Sequence, residues 1–434
     1  MSHQGEDTGI SNGARRYTMF LLVTVYTSSF IDRSIINILI QPIQDDFHVS
    51  DTAMGFLTGF AFAIFYATLG LPVARWADRS NRRNIIALAV TIWSAMTALS
   101  GFAQNFWQLA LARVGVGVGE AGSSPPSHSM IADMYPLEER TSALAIYSWG
   151  IHIGIMLGAV LGGWIAETWG WRYAFFAVGF PGLLLALLVR FTIKEPARGQ
   201  SGGAVVAQEN IPFQDVFRHL WRVKSLRHTI IGCTLVAFVG YGVASWGAPF
   251  LMRSHDLTVG QVGLILGPIA GFMGIIGAFA SGKAADRLSL RDARWTPWIV
   301  FVCKMAAIPF IIGFYLVGDF WVAIWFLPLT VALGATYQGS TFAMVQTLSP
   351  LRMRAQASAV LLFVINLIGL GLGPSAIGIA SDLLAPYYGE ESLRYALFGV
   401  SMLGVWGAVH YYWAGKSYRE DLADMDVASA GQPA

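Results

Sequence analysis

The tripeptide Ala77-Asp78-Arg79 ends a long apolar run and recurs as Ala285-Asp286-Arg287 at the end of another one. Further along the chain, Pro136-Leu137-Glu138-Glu139-Arg140 has a partly matching counterpart in Pro350-Leu351-Arg352-Met353-Arg354. Matches that keep their order in two parts of a chain indicate an internal repeat. We therefore expect a fold built from two related halves.

Apolar runs long enough to cross a membrane fill both halves. A helix rises about 1.5 Å per residue, so about 20 residues cross the roughly 30 Å hydrocarbon core. We number these runs spans 1 to 12, and they fall at about residues 17–40, 52–75, 84–103, 107–134, 141–166, 172–192, 229–251, 260–282, 295–316, 321–347, 355–384 and 393–413. The sequence predicts an all-α membrane protein with twelve transmembrane helices in two pseudo-twofold-related six-helix bundles. Substrate is expected to bind near the midplane between such repeats.

The composition argues against a soluble enzyme. Hydrophobic residues make up 55% of the chain and charged residues 12%, roughly half the share of charge in a soluble domain. Both cysteines, Cys233 and Cys303, lie in apolar runs, which predicts neither a disulfide framework nor a zinc site. The chain has no Ser-His-Asp order and no H-E-x-x-H motif. We therefore expect no enzymatic activity, no metal, no cofactor and no nucleic-acid partner.

The placement of Lys and Arg orients the predicted spans. With a cytoplasmic N-terminus, only Arg172, Arg253 and Arg394 of the 28 basic residues fall in outer loops, and cytoplasmic loops normally carry the excess of positive charge. We expect a monomer in the plasma (inner) membrane with both termini in the cytoplasm. The predicted segments are an N-terminal tail (1–16), an N-terminal bundle (17–192), a cytoplasmic linker with an amphipathic segment (193–228), a C-terminal bundle (229–413) and a C-terminal tail (414–434).

Spans 1 and 4 carry charged residues away from their ends: Asp32 and Arg33 in span 1, and Arg113 and Glu120 in span 4. An ionisable group in a span costs roughly 2.5–3.5 kcal/mol, which makes it a candidate for function. Arg113 and Glu120 are two helical turns apart and share a face. Pro125-Pro126 follows closely and predicts a kink in span 4.

The charge cluster of spans 1 and 4 belongs to the N-terminal half alone. The repeat places Leu327 opposite Arg113 and Gly334 opposite Glu120. A purely architectural role would be expected in both halves, so the asymmetry favours a functional one.

These four residues suit proton coupling. Burial disfavours the charged form of a carboxyl group, whereas a nearby arginine favours it. Movement of Arg113 toward or away from Asp32 or Glu120 would then change whether that group holds a proton. An anionic substrate that competes for Arg33 or Arg113 would link its binding to protonation. The alternative is a static ion pair that only fixes span 1 against span 4.

Two loops resemble a known family. Ala74-Arg75-Trp76-Ala77-Asp78-Arg79-Ser80-Asn81-Arg82-Arg83, after span 2, resembles the G-x-L-x-D-R-x-G-R-R signature of the major facilitator superfamily, with Ala74 and Asn81 in place of its glycines. Gly282-Lys283-Ala284-Ala285-Asp286-Arg287, after span 8, resembles the second copy and keeps the first glycine. The resemblance implies a transporter that works by alternating access.

The same loops predict a latch on the cytoplasmic side. Asp78 is expected to face the start of span 11, and Asp286 the start of span 5. A carboxylate at a helix N-terminus interacts with unsatisfied N–H groups and with the positive end of the helix dipole. The predicted latch residues are Asp78, Arg79, Asp286, Arg287, Arg140 and Arg354.

Glycines in spans 5 and 8 recur every four residues, a spacing that lets helix backbones approach closely. They are Gly150, Gly154, Gly158 and Gly162 in span 5, and Gly263, Gly267 and Gly271 in span 8. In the superfamily these two spans face each other, so we expect a sliding contact between them. Gly115, Gly117 and Gly119 of span 4 lie in an apolar span and are interpreted as packing residues too, since a nucleotide loop needs a βαβ unit.

Within the superfamily, Phe30-Ile31-Asp32-Arg33 in span 1 and the run 111–121 in span 4 are similar to the spinster-like family, whose eukaryotic members move sphingosine-1-phosphate or lysophospholipids. The chain resembles a bacterial member. This implies a proton-coupled secondary transporter of an amphiphilic or anionic small molecule, lysolipid- or sphingolipid-like. The alternatives are proton-coupled transport of an organic anion, sugar phosphate or drug and, from another class, a membrane receptor or sensor without transport.

Overall fold

The computed structural model describes residues 11–198 and 212–430, and these residues form helices joined by short connections, without a β-strand among them. The linker glycines Gly199, Gly202 and Gly203 lie outside the described residues. The α-helices are α1 (Asn12–Ile38), α2 (Ile40–Phe47), α3 (Asp51–Thr58), α4 (Phe60–Arg79), α5 (Arg82–Ser100), α6 (Phe106–Glu120), α7 (Ser124–Met134), α8 (Leu137–Trp169), α9 (Trp171–Thr192), α10 (Phe213–Arg222), α11 (Lys224–His255), α12 (Val259–Ser289), α13 (Trp295–Leu316), α14 (Phe320–Ala323), α15 (Leu327–Gly334), α16 (Tyr337–Thr347), α17 (Arg354–Val364), α18 (Gly371–Tyr388) and α19 (Ser392–Ala430).

Ten helical stretches in the described ranges are long and apolar enough to cross a membrane. Two features account for the difference from twelve. Span 4 is divided between α6 and α7, whose 15 and 11 residues are each too short. Spans 11 and 12 fall in one stretch, Leu351–Met425. The prediction of an all-α membrane fold is confirmed.

Polar residues with short side chains begin several helices. Ser11, Ser50, Asn81 and Asn105 each accept a hydrogen bond from the backbone N–H three residues later. These N-caps satisfy donors that the first helical turn leaves free. They set where α1, α3, α5 and α6 start.

The described residues cluster into two compact units. The first comprises residues 11–48, 61–198 and 258–267, and the second comprises residues 49–60, 212–257 and 268–430. One boundary falls after Phe60, the first residue of α4, and another falls before Pro268, inside α12.

In the first unit, the glycines of α8 pack against α1. A Cβ at Gly154 would lie 2.5 Å from the Cβ of Phe30, and Gly150 and Gly158 are similarly close to Thr27 and Ile31. The expectation that the evenly spaced glycines of span 5 face span 8 was therefore wrong, because the four-residue stripe follows the neighbouring face of the helix.

The start of α12 does contact α8, through the predicted glycines Gly263 and Gly267 of span 8 but through a different face of span 5. A Cβ at Gly163 would lie 2.6 Å from the carbonyl oxygen of Val259, and one at Gly267 would lie 2.9 Å from that of Met156. Spans 5 and 8 do approach each other closely, but in span 5 the contact uses the helix face that carries Gly163.

In the second unit, acidic residues hold the start of α3. Asp382 accepts hydrogen bonds from the backbone N–H groups of Asp51 (3.2 Å) and Thr52 (2.8 Å). Asp51 in turn forms a two-bond ion pair with Arg253, at 2.7 and 2.8 Å. A carboxylate at a helix N-terminus is favourable, so this end of α3 is fixed to α11 and α18.

The basic part of the linker forms α10. Val216 and Leu220 are buried, whereas Phe217 and Trp221 are exposed and stack with their ring centroids 6.1 Å apart. The helix is thus amphipathic, with an aromatic outer face suited to a lipid surface.

Candidate functional site

The four charged residues predicted from spans 1 and 4 lie together in the first unit as two ion pairs. Arg113 Nη1 donates to Asp32 Oδ1 at 2.9 Å, and Arg33 Nε donates to Glu120 Oε2 at 2.6 Å. The side chains of Asp32, Arg113 and Glu120 are at most 2% exposed, whereas that of Arg33 is 17% exposed. Arg33 is therefore the member of the group that a ligand can reach most easily.

A third helix, α5, donates a further hydrogen bond to Asp32. The hydroxyl of Thr97, on α5, donates to Asp32 Oδ2. Asp32 thus accepts from two helices, α5 and α6, while it projects from α1. Its two oxygens are both satisfied, as a buried carboxylate requires.

Glu120 is only half satisfied. Its Oε2 accepts from Arg33 and, at 2.9 Å, from the hydroxyl of Ser29. Its Oε1 is buried and has no hydrogen-bond partner among the described residues. Glu120 is also the last residue of α6, next to the break at residues 121–123. A buried oxygen without a donor is available to carry a proton.

Aromatic rings surround the arginines. The guanidinium of Arg33 lies 4.4 Å from the ring centroid of Tyr66 and 5.0 Å from that of Phe62. The guanidinium of Arg113 lies 5.4 Å from the Phe62 centroid. Ring faces stabilise a desolvated cation, so α4 supplies the wall that lets two arginines sit in an apolar bundle.

The pairing follows from helix geometry. Consecutive residues on a helix point about 100° apart, so Asp32 and Arg33 face different neighbours. Close packing brings those neighbours within reach. A Cβ at Gly117 would lie 2.5 Å from the Phe62 carbonyl oxygen, and one at Gly119 would lie 2.6 Å from the Trp93 nitrogen. The predicted packing role of the span 4 glycines is confirmed.

Span 4 is interrupted where the prolines predicted a kink. α6 ends at Glu120, and α7 begins at Ser124 with proline in its first turn. The chain between them turns without regular helix. Irregular backbone of this kind at membrane depth is tolerated where protein or a water-filled cavity surrounds it.

The residues of the predicted latch are placed as follows. Asp78 and Arg79 are exposed at the end of α4, and Asp286 and Arg287 are exposed in the last turn of α12. Arg140 donates to the carbonyl oxygen of Ala132 at 2.9 Å, and Arg354 donates to that of Ser349 at 3.3 Å. The latch itself stays a prediction.

Sequence reasoning missed a buried cluster around Arg82. Its guanidinium pairs with Asp133, donates to Glu195 Oε1 at 2.8 Å and to Ser129 at 2.9 Å, and reaches the carbonyl oxygen of Pro196 at 2.8 Å. Arg82 is 1% exposed. In the sequence Arg82 is one of several basic residues of a loop, whereas the structure gives it a full set of partners.

The described residues contain no group of three or more His, Cys, Asp or Glu placed to hold a metal ion. The site itself offers paired charges, hydroxyls and aromatic faces.

One family model matches most of the chain. The family model described as Major Facilitator Superfamily matches residues 22–374. The chain belongs to the major facilitator superfamily. Membership makes it a multi-pass membrane transporter, and the major facilitator fold accounts for its helices.

Two similar proteins carry different names, one an efflux pump and the other a spinster homolog. An MFS-type efflux pump of Mycolicibacterium smegmatis is 34% identical over 405 residues, which are 93% of each chain. Protein spinster homolog 1 of Xenopus tropicalis is 29% identical over 98% of this chain and 85% of its own. The spinster similarity thus extends through both halves, whereas the sequence motifs supported it mainly in the N-terminal half.

Solved structures agree with this relationship. A bacterial homolog of the human lysosomal transporter Spinster, described as inward-facing and unoccupied, superimposes with a TM-score of 0.86 at 32% identity, covering 95% of this chain and 99% of that one. A D-xylose-proton symporter at 16% identity and a TM-score of 0.65 shares the superfamily fold. The resemblance to the spinster-like family is confirmed.

Proposed function

We propose that the protein is a proton-coupled secondary transporter that moves an amphiphilic anion by alternating access. The observation that carries the proposal is the pair of buried ion pairs, Asp32–Arg113 and Arg33–Glu120, in which Glu120 Oε1 has no donor among the described residues. Two carboxylates and two arginines in one membrane-embedded cluster can exchange partners without leaving a charge unpaired for long.

Coupling follows from that exchange. A carboxylate buried without its arginine is strongly disfavoured and takes up a proton, whereas an arginine at its side stabilises the charged form. Arg33 is the more accessible arginine, so an anionic head group that engages Arg33 would withdraw it from Glu120. Glu120 would then bind a proton, and anion and proton binding would be linked.

The aromatic wall supports an amphiphilic substrate. Phe30, Phe62 and Tyr66 all lie within 5.1 Å of the Arg33 guanidinium, measured to the ring centroids. A charged head beside an apolar, aromatic surface matches a molecule with one anionic end and one hydrocarbon end. The resemblance to the spinster-like family, whose eukaryotic members move sphingosine-1-phosphate or lysophospholipids, favours a lysolipid- or sphingolipid-like compound.

The proposal includes orientation and gating. The excess of Lys and Arg in the loops assigned to the cytoplasm supports a plasma (inner) membrane location with both termini inside. Asp78, Asp286 and the arginines near them would hold the cytoplasmic side shut in one state and separate in the other. The monomer is the proposed working form.

A reconstituted flux assay tests the coupling. Proteoliposomes that enclose a pH-sensitive dye are given lysophospholipids, organic anions and drugs in turn, with and without an imposed pH gradient. We expect one amphiphilic anion to move protons with it, and we expect Asp32→Asn and Glu120→Gln to abolish gradient-driven uptake while counterflow of the same compound continues.

Matched controls are available in the C-terminal helix. Asp424→Asn and Glu420→Gln make the same chemical changes at exposed positions of α19, and both should transport like the wild type. Unchanged coupling in Asp32→Asn and in Glu120→Gln would contradict the proposal. Binding without any counterflow would favour a receptor or sensor.

Drug export is a second candidate function. The relative with 34% identity is named an MFS-type efflux pump and is matched over 93% of both chains. The same assay separates the two functions, because an efflux pump of this kind would move uncharged or cationic amphiphiles as well as the anionic one.

A further inference from the structure

One charged residue in the spans takes no part in the site described above. Lys304 is the tenth of the 22 residues of α13, in the second unit. It lies about 14 Å from one end of the helix and about 18 Å from the other. A lysine side chain reaches roughly 6 Å, so its ammonium group cannot extend to the aqueous boundary at either end.

The described contacts of this ammonium group include one hydrogen bond and no ion pair. Lys304 Nζ donates to the carbonyl oxygen of Gly334 at 2.6 Å and lies 5.6 Å from the ring centroid of Tyr337. Among the described residues it has no acidic partner and no further hydrogen bond. An ammonium group has three N–H donors, so two remain for something that is not part of the protein.

A break in the helix supplies the one acceptor. α15 ends at Gly334 and α16 begins at Tyr337, so the last carbonyl groups of α15 have no partner within the helix. The internal repeat places Gly334 opposite Glu120, and both residues immediately precede a helix break. At this helix break the first half therefore carries an acidic residue, Glu120. In the second half the ammonium group of Lys304 reaches the break from the neighbouring helix α13.

Hydroxyl and thiol groups surround the lysine. Cys233 hydrogen-bonds with Thr341 and Tyr411, and those two residues hydrogen-bond with each other. Cys233 is close enough to interact electrostatically with Lys304, and Cys303 beside it is paired with Thr336. None of these groups is a carboxylate, so none of them would repel an anion beside Lys304.

We propose that Lys304 forms a second anion-binding site, in the second unit, that binds the phosphate or carboxylate head of an amphiphilic ligand. This rests on the proposed function. The site binds an anion because a cation at this depth of a span, without an acidic partner among the described residues, gains most from a counter-ion. The ring of Tyr337, whose centroid lies 5.6 Å from Lys304 Nζ, forms an aromatic border for the part of the molecule that adjoins the head.

A purely structural role is the competing explanation. The positive charge of Lys304 would stabilise the C-terminal end of α15 through the helix dipole. That role uses the bond to Gly334 and requires no ligand, so the two explanations differ in whether an anion changes the environment of the amine.

Protection from acetylation tests this in the wild-type protein. The chain is reconstituted in phosphatidylcholine nanodiscs and treated with acetic anhydride, and labelling of each lysine is measured by peptide mass spectrometry. Monododecyl phosphate should slow labelling of Lys304, while dodecyl maltoside should not. Lys416 is the internal control, since its Nζ lies 4.8 Å from the ring centroid of Tyr412 but the residue is exposed.

Each labelling result has a defined meaning. Equal labelling of Lys304 with and without monododecyl phosphate overturns the proposal. Protection by inorganic phosphate but not by the dodecyl ester also overturns it, because the site would then take a small free anion. Protection by the ester, specific to Lys304, supports it.

Binding measurements on variants provide the second test. Lys304→Met should weaken monododecyl phosphate binding about tenfold or more, as the loss of one charged hydrogen-bond donor predicts, whereas Lys304→Arg should retain most of the affinity and Lys416→Met all of it. Undiminished affinity in a folded Lys304→Met overturns this inference alone, even if Asp32→Asn and Glu120→Gln lose coupling. Lys304-dependent binding in a protein without proton movement contradicts the proposed coupling alone.

Discussion

Asp32 and Arg33 are neighbours in the chain, yet each pairs with a different residue of α6. The sequence indicated that these four charges matter, because charges in a span are costly. It could not assign the partners, since the rotation of α1 about its axis depends on packing against α8 and α5. Thr97 was also missed, because a single threonine in an apolar span carries no signal of its own.

Arg82 illustrates the opposite case, a residue whose burial the sequence did not indicate. It stands in a polar, basic loop, and its partner Glu195 is 113 positions away. Nothing local distinguishes it from the exposed Arg75. Long-range ion pairs of this kind become visible only in the folded chain.

The Arg82 cluster yields a stability prediction. Arg82→Gln leaves Asp133 and Glu195 without their shared cation, and removing one partner from a buried ion pair costs about 3 kcal/mol or more. We expect the variant to unfold at clearly lower temperature in detergent, as measured by scanning fluorimetry. Arg75→Gln removes the same charge from an exposed position and should melt like the wild type. Equal melting of both variants would contradict the burial of Arg82.

At the scale of elements, the contact between α1 and α8 depends on glycine. The glycine stripe of α8 lets the backbone of α1 approach so closely that a side chain at Gly154 would meet Phe30 and the carbonyl oxygen of Thr27, at 2.5 and 2.6 Å. The stripe was recognisable in the sequence. The helix that it faces was not, because small residues mark a close contact without naming the partner.

Gly154→Ala should therefore destabilise the protein, because α1 must move and carries Asp32 and Arg33 with it. We expect a lower melting temperature and weaker gradient-driven transport. Gly240→Ala is the matched control, since a Cβ at Gly240 of α11 would have nothing within 4 Å. That change should be neutral or slightly stabilising, as alanine favours a helix by about 1 kcal/mol over glycine. A neutral Gly154→Ala would disprove the close contact.

At the scale of the whole molecule, the apolar runs were enough to predict the fold class. The breaks in the helices were harder to foresee. Pro125-Pro126 indicated the one in span 4, whereas the break after Gly334 and the π-helical turn at Ile365–Leu370 have no comparable marker. Both depend on packing around the interrupted segment.

The acid stability of the protein should include a contribution from Asp292, in the loop before α13. Hydrogen bonds from Arg294, with Arg419 nearby, lower the pKa of Asp292 from 3.8 to about 2. A lowered pKa means that the ion pairs stabilise the fold above the unfolded pKa and that this is lost as the pH falls through the folded one. The melting temperatures of wild type and Asp292→Asn should differ by a constant amount between about pH 5 and pH 7, and the difference should shrink toward about pH 2. A difference that does not change with pH would contradict this assignment.

The two compact units do not coincide with the two halves of the sequence that the linker separates. Residues 49–60 precede the linker but belong to the second unit, and residues 258–267 follow the linker but belong to the first. Cutting the chain between Arg198 and Pro212 would therefore produce two fragments that each lack a piece of their own unit. Either fragment expressed alone should be insoluble or rapidly degraded. Co-expression of the two should yield a folded complex by fragment complementation.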